Sequence, residues 1–221
     1  MHILIVGASR GLGLEFVAQY RAQGDAVTAT ARDEPGLERL RTLGARPLRL
    51  DVADAASASG LAWPIDGEAF DTVIVNAGVY GPRTEGLQTP AEADFDAVMH
   101  TNVLGPMRVL PQLSDALAPG ARVAVISSRM GSISLRGSSS GWLYRASKAA
   151  LTSVLKDLSL VWAGRAICVA LHPGWVRTEM GGAAADLAVP DAVADMRRTL
   201  AALTPADNGG FFNHDGQALA W

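Results

Sequence analysis

Ile3-Leu4-Ile5-Val6 runs directly into Gly7-Ala8-Ser9-Arg10-Gly11-Leu12-Gly13. An apolar, mostly β-branched run that ends in a glycine-rich turn reads as a strand buried on both faces. The stretch after the turn reads as a helix over about 11–23. The glycines are spaced G-x-x-x-G-x-G. They permit a tight turn and a close approach of backbone to a pyrophosphate, and the helix N-terminus adds N–H donors and the positive end of its dipole. A glycine-rich turn elsewhere is only a turn. Between a first strand and a first helix it makes Gly7, Ser9, Arg10, Gly11, Leu12 and Gly13 candidate dinucleotide contacts.

Working outward, short apolar runs alternate with longer helical patterns. Strands are expected at about 26–31, 46–50, 70–75, 121–127, 166–171 and 210–212, and helices at about 35–43, 53–61, 90–117, 142–163 and 190–202. Thr89-Pro90-Ala91-Glu92 supplies a cap, a first-turn proline and a capping-box glutamate for the third of these helices. Strand and helix in alternation imply βα units, hence an α/β fold: a Rossmann-type, doubly wound parallel sheet in three layers, with residues 1–221 as a single domain. The unusual residues fall at strand ends: Gly7, Arg32, Asp51, Asn76, Ser128 and Pro173. In an open parallel sheet these ends share one edge, and that edge is where ligands bind.

Composition narrows the class. Hydrophobic residues make up 49% and charged residues 19%, with a net charge of −3 and both signs dispersed, so no nucleic-acid footprint is visible. No apolar run is long enough to span a membrane. The N-terminus lacks the basic region and cleavage site of a signal peptide. Cys168 is the only cysteine; it excludes an intrachain disulfide, points to a cytoplasmic setting and, within an apolar run, reads as a buried small hydrophobe. The histidines at 2, 100, 172 and 214 have no metal-ligand spacing, so no metal is expected.

The end of the second strand reads the adenosine ribose. A carboxylate there binds the 2′-hydroxyl of NAD, whereas arginine accommodates the 2′-phosphate of NADP. Here Arg32 stands at that end and Arg10 lies in the glycine turn, so two guanidiniums could clamp a phosphate. Asp33 beside Arg32 could reach a ribose hydroxyl. NADP (as NADPH) is expected rather than NAD.

Tyr144-Arg145-Ala146-Ser147-Lys148 places a tyrosine and a lysine on one helix face. A phenol of ordinary pKa, near 10, is a poor catalyst at neutral pH, and a nearby ammonium lowers it. Of 19 basic residues only Lys148 and Lys156 are lysines, so a lysine in this place is not background.

Together, the glycine turn at 7–13, Asp51-Val52, Asn76-Ala77-Gly78, Asn102, Ser127-Ser128 with Gly131, Tyr144 with Lys148, and Pro173-Gly174 resemble the short-chain dehydrogenase/reductase family, in family order over residues 1–180. The segment from His172 to Gly182 and the end from Gly210 to Trp221 are similar to its C-factor-like carbonyl reductase branch, which includes a cell-contact signalling protein. The resemblance implies that Tyr144 is general acid in reduction and base in oxidation, that Lys148 lowers its pKa and holds the nicotinamide ribose, that Ser128 bonds the substrate oxygen, and that Asn102 supports a water-linked relay to Lys148. Asp51 and Val52 would face the adenine, Asn76, Ala77 and Gly78 would line the cofactor, and Pro173, Gly174, Val176 and Thr178 would hold its nicotinamide end. Ser127 competes with Ser128, and the spacing S-x-x-G to Gly131 favours Ser128. Sixteen positions separate Ser128 from Tyr144, slightly more than the family pattern, the excess falling in the serine-rich stretch 138–141.

The implied reaction moves a hydride between nicotinamide and a carbonyl or alcohol substrate. If the family layout holds, Met130, Leu135, Trp142, Trp175 and Met180 line the pocket, which suits an apolar or aromatic aldehyde or ketone. A short substrate loop is expected at about 178–190, with 181–189 as a mobile lid. A homodimer or homotetramer is expected, paired through the helices at 90–117 and 142–163, where Val154, Leu155, Leu158, Val161 and Trp162 exceed one buried stripe. Two other classes are weighed. Gly137-Ser138-Ser139-Ser140-Gly141 matches the G-x-S-x-G of a serine hydrolase, but the strand it would follow ends ten residues earlier, at Ser127. A non-catalytic, cofactor-sensing or signalling protein on the same fold is the other, and the Ser128–Tyr144–Lys148 set argues against it.

Overall fold

In the computed structural model, which describes residues 1–221, strands and helices alternate along the chain. The strands are β1 (His2–Val6), β2 (Ala26–Ala31), β3 (Arg46–Arg49), β4 (Phe70–Val75), β5 (Leu117–Ile126), β6 (Ala166–His172) and β7 (Phe211–Asn213). They form one sheet in the order β3-β2-β1-β4-β5-β6-β7, every neighbouring pair parallel. The helices are α1 (Gly11–Ala22), α2 (Glu34–Thr42), α3 (Ala55–Ser59), α4 (Glu92–Met99), α5 (Gly105–Val109), α6 (Trp142–Val161) and α7 (Val189–Ala202).

The pleat sorts the apolar strand residues between two cores. From β1, Ile3 and Ile5 join Phe16 and Val17 of α1, Leu37 and Leu40 of α2, and Met196 and Leu200 of α7. Leu4 and Val6 join Val109 of α5, Leu110 and Leu113 just beyond it, and Leu151 and Leu155 of α6 on the other face. Each fully buried Ile, Leu or Phe contributes about 1.5–3 kcal/mol relative to an exposed one. This is the three-layer, Rossmann-type architecture expected. The chain leaves β1 in one direction to build β2 and β3, then returns to its other side for β4. The crevice at the carboxyl ends of β1 and β4 is therefore the topological switch point.

The segment expected as one helix over 90–117 differs most. α4 gives way to a π-helical turn at His100–Leu104, then α5, then a 3₁₀ segment at Leu110–Ala116. Pro106 and Pro111 account for this, since neither has an N–H for the carbonyl four residues back and each ring crowds that carbonyl. Thr89 does not cap α4. Its N-cap is Ala91, without a side-chain bond, and Glu92 and Asp94 occupy the first turn, where the dipole favours them. β5 starts at Leu117 rather than 121 because an irregular register between Phe70 and Thr72 lengthens it.

The apolar excess along α6 is largely core. Leu155 and Trp162 are buried, and Val154 and Leu158 pack against the same cluster, which leaves Leu160 and Val161 exposed. Cys168 is fully buried, and burial pushes its thiol up to about 12. No helix is long and apolar enough to cross a membrane.

Candidate active site

The switch-point crevice is a cleft of about 320 Å³. Of the residues expected to hold a dinucleotide, Gly7, Ser9, Arg10, Gly11, Leu12, Arg32, Asp51, Val52, Asn76, Ala77, Gly78 and Thr178 line it. Thr30, Ala31, Leu50, Val79, Thr101, Glu179 and Met180 complete the wall. The glycine turn is built by contacts that leave no room for a side chain. A Cβ on Gly13 would lie 2.2 Å from the Gly7 carbonyl oxygen, and one on Gly7, at φ +86°, 2.6 Å from the Ala77 nitrogen. The Gly7 N–H donates to Thr30 Oγ1 at 2.9 Å, and Asn76 Nδ2 donates to the Gly7 carbonyl at 2.6 Å. Gly13 and Asn76 thus brace the turn from below, while Gly11, at φ +55°, opens onto the cleft. Asp51 accepts from the Ala53 N–H at 3.0 Å, which fixes its own turn.

The strand-two terminus separates the two charges left open by the sequence. Asp33 caps α2, its carboxylate accepting from the Gly36 N–H at 2.8 Å, and it is absent from the cleft wall. Arg32 lines the cleft and makes no salt bridge. Arg10 pairs with Glu179 across the cleft mouth. Both of those side chains are well exposed, so the pair adds little stability.

Beyond the cleft, α6 carries Tyr144 and Lys148 inward, and both are buried. Lys148 Nζ lies 5.7 Å from the Tyr144 ring centroid and donates to the Ile126 carbonyl at 2.9 Å. Ser128 caps the short 3₁₀ turn Arg129–Gly131, its hydroxyl accepting from the Met130 N–H at 3.1 Å, and stands beside the Tyr144 phenol. Ser127 faces the other way, its hydroxyl donating to the Lys148 carbonyl at 3.4 Å. Asn102, on the π-turn, is fully buried. Its Oδ1 accepts from the Val79 N–H at 2.8 Å, and its Nδ2 donates to the Val79 carbonyl at 2.8 Å and to Ser147 Oγ at 2.9 Å. Asn102 Oδ1 and Lys148 Nζ each lie 3.3 Å from the point a Gly78 Cβ would occupy, so they flank one spot without bonding each other.

The electrostatics correct one expectation. Tyr144 is not lowered by its lysine: burial pushes its phenol up to about 12, against the opposing hydrogen bond of Ser128. Burial also lowers Lys148 to about 8. Desolvation penalises both charged forms.

Residues 1–187 match the short chain dehydrogenase family. The chain belongs to that family. It is an NAD(P)-dependent oxidoreductase by descent. It is 39% identical over 154 residues to C-signal of Myxococcus xanthus, which covers 68% of this chain and 92% of that one. A Burkholderia multivorans chain of this family, solved with NADP bound, superposes with a TM-score of 0.90 at 33% identity, covering 100% of this chain and 99% of that one. Carbonyl reductase Sniffer of D. melanogaster gives a TM-score of 0.88 at 31% identity, covering 100% and 99%.

In this short-chain dehydrogenase Pro173, Gly174 and Val176 are not among the residues of the cleft wall, which Thr178 joins. Val176 is buried and bridges to Leu187. The stretch expected as a mobile lid, 181–189, makes hydrogen bonds with the segment before it. Trp175 Nε1 donates to the Gly181 carbonyl at 2.9 Å, the Gly182 N–H to the Thr178 carbonyl at 2.8 Å, and the Leu187 N–H to the Trp175 carbonyl at 3.0 Å. Ala185, within that stretch, is buried. Sequence reading missed Tyr80, whose ring stacks on Tyr144 at 4.5 Å between centroids. Its only signal was its place just after Asn76-Ala77-Gly78.

Proposed function

We propose that this short-chain dehydrogenase reduces an aldehyde or ketone with NADPH, with Tyr144 as proton donor. The observation that carries the reading is the convergence of the Tyr144 phenol, the Ser128 hydroxyl and Lys148 Nζ beside a cleft shaped for a dinucleotide. The residues present fit NADPH. Gly11 opens onto the cleft with no side chain to bar a pyrophosphate, Arg32 is free of any ion pair, Arg10 stands in the same wall, and Asp33 is committed to its helix cap. NADP bound to the Burkholderia relative supports the same choice. When bound, the cofactor supplies the hydride.

The chain's own groups handle the oxygen. A phenol held at about 12 stays protonated at neutral pH and can donate its proton as charge develops on the substrate oxygen. Ser128 positions that oxygen, and Lys148, mostly charged at neutral pH with a pKa of about 8, stabilises the phenolate left behind. Met130, Trp142, Trp175 and Met180 suit an apolar or aromatic substrate at the rim. The likeness to C-signal favours a second reading, a signalling protein on the same fold. The test is turnover on a panel of aldehydes and ketones with Tyr144→Phe and Lys148→Arg. Tyr144→Phe should lose about 10²–10⁴-fold in kcat while NADPH affinity holds. A Phe variant that kept its kcat would refute the role of Tyr144, and a wild type inert on the whole panel would favour signalling.

A further inference from the structure

Tyr80 sits on a segment fixed from both sides. Asn102 clamps the preceding residue through Val79 N–H and C=O, each at 2.8 Å. The following Gly81 has φ +77°, and a Cβ there would strike Val98 at 2.4 Å. The ring so placed stacks on Tyr144, centroids 4.5 Å apart and planes 23° from parallel. Its hydroxyl lies 2.5 Å from where a Cβ on Gly141 would be, and Gly141 opens α6 at φ +64°. The Arg83 guanidinium lies 5.1 Å from the Tyr80 centroid and donates to the Met180 carbonyl at 2.9 Å. Tyr80 therefore ties the loop after β4, the start of α6 and the 178–181 segment together around the buried phenol.

We infer that Tyr80 is a positioning residue for the proton donor: its ring holds the Tyr144 ring in plane and shields it from water. The inference rests on the proposed role of Tyr144. A helix fixes the Cα of residue 144 but leaves two side-chain torsions. Offset stacking restrains both while leaving the hydroxyl edge free for Ser128 and the substrate oxygen. The charged or titratable groups around that phenol are Lys148 from α6, Tyr80 itself and, behind it, Arg83. Removing the ring would admit water and so reverse part of the burial that raises the phenol.

The test compares Tyr80→Phe, Tyr80→Leu and Tyr80→Met, with Tyr144→Phe as reference, using NADPH and an aromatic aldehyde. Tyr80→Phe, which keeps the ring, should keep kcat and aldehyde KM. Tyr80→Leu and Tyr80→Met should each lose about 10–100-fold in kcat, the cost of a misplaced donor. In both, aldehyde KM and NADPH affinity should stay at the wild-type values, so that the loss lies in kcat alone. Either aliphatic variant suffices if the other does not fold. Aliphatic variants matching Tyr80→Phe in kcat would overturn the inference, as would a rise in aldehyde KM with kcat unchanged, which would make Tyr80 a substrate contact. An active Tyr144→Phe would instead strike the proposed function.

Discussion

Asn102→Ala should separate the architecture of the site from its chemistry. The substitution deletes three hydrogen bonds: one accepted from the Val79 N–H, one donated to the Val79 carbonyl and one donated to Ser147 Oγ. Ser147 keeps its own bond to the Tyr144 carbonyl at 2.8 Å, so its hydroxyl loses only a donor. Leaving a buried polar group unmade costs about 1–3 kcal/mol. Val79 is half-buried and can recruit water, so the lower bound applies, about 1 kcal/mol for each of three groups and about 3 kcal/mol in all. For a chain of this length that lowers the melting midpoint by about 6–12 °C. Asn102→Asp keeps the volume but sets an acceptor against the Val79 carbonyl and buries a carboxylate, whose pKa must rise above its unfolded value. The folded state then binds the extra proton, so the variant's stability is fullest at low pH and is lost as pH rises through the folded pKa. Thermal melts of wild type and both variants at about pH 5 and pH 8, without NADPH, test this. An Ala variant melting within 1–2 °C of wild type, or an Asp variant whose deficit is the same at both pH values, would refute the clamp.

Arg32→Asp should weaken NADPH binding about 10–100-fold, the worth of a charge-assisted phosphate contact, and leave NADH binding nearly unchanged; fluorescence titration of both nucleotides reads this out, and an equal loss for both would remove Arg32 from 2′-phosphate recognition. Burial, with the charges of His214 and Arg129, holds His172 down at about 4, so the unfolded chain binds a proton the folded one refuses. Stability should therefore fall as pH drops from about 6.5 towards 4, by up to about 3 kcal/mol, and His172→Leu should remove that slope in urea titrations; an unchanged slope would assign it to other groups. Gly13→Ala should destabilise the protein and abolish nucleotide binding, because its Cβ would strike the Gly7 carbonyl oxygen at 2.2 Å and the bracing Asn76 amide at 2.7 Å; a variant that still binds NADPH would show that α1 can shift. Light scattering at micromolar concentration should give a homodimer or homotetramer mass, and a monomeric mass would reject assembly.

Most of the sheet was legible because strands such as β1 and β6 carry little besides apolar residues, unlike the edge strand β3, Arg46-Pro47-Leu48-Arg49. In β1 and β6 every side chain must choose between two buried faces, so a short β-branched run between turn signals has one good reading. The third long helix was not legible as drawn. Its apolar pattern persists past Asn102, and a periodicity count does not register a missing N–H. Gly105-Pro106 and Pro111 carried the warning, since a proline inside a helical pattern removes a bond and crowds a carbonyl. The consequence is functional: the π-turn carries Asn102 inward to the backbone of the loop that bears Tyr80.

The site divides in the same way. Residues whose role depends on where the backbone goes, such as Gly7, Gly13 and Asn76, could be read from their place after strands, because the turn itself demands them. Asp33 could not be assigned, since its carboxylate can serve a ribose or a helix end, and only the 2.8 Å contact with Gly36 decides between them. The Tyr144–Lys148 pair shows the limit most clearly. A four-residue spacing places both on one face of α6 and argues that the ammonium lowers the phenol. It says nothing of how deep that face sinks. Once both side chains are buried, desolvation acts on each charged form, and the phenol rises while the ammonium falls. The phenol's rise keeps its proton in place at neutral pH, whereas the ammonium's fall works against the charge a phenolate needs, and most of that charge survives at neutral pH because the fall stops at about 8. Burial, which no spacing encodes, thus acts on both groups at once, one shift with the proposed chemistry and one against it.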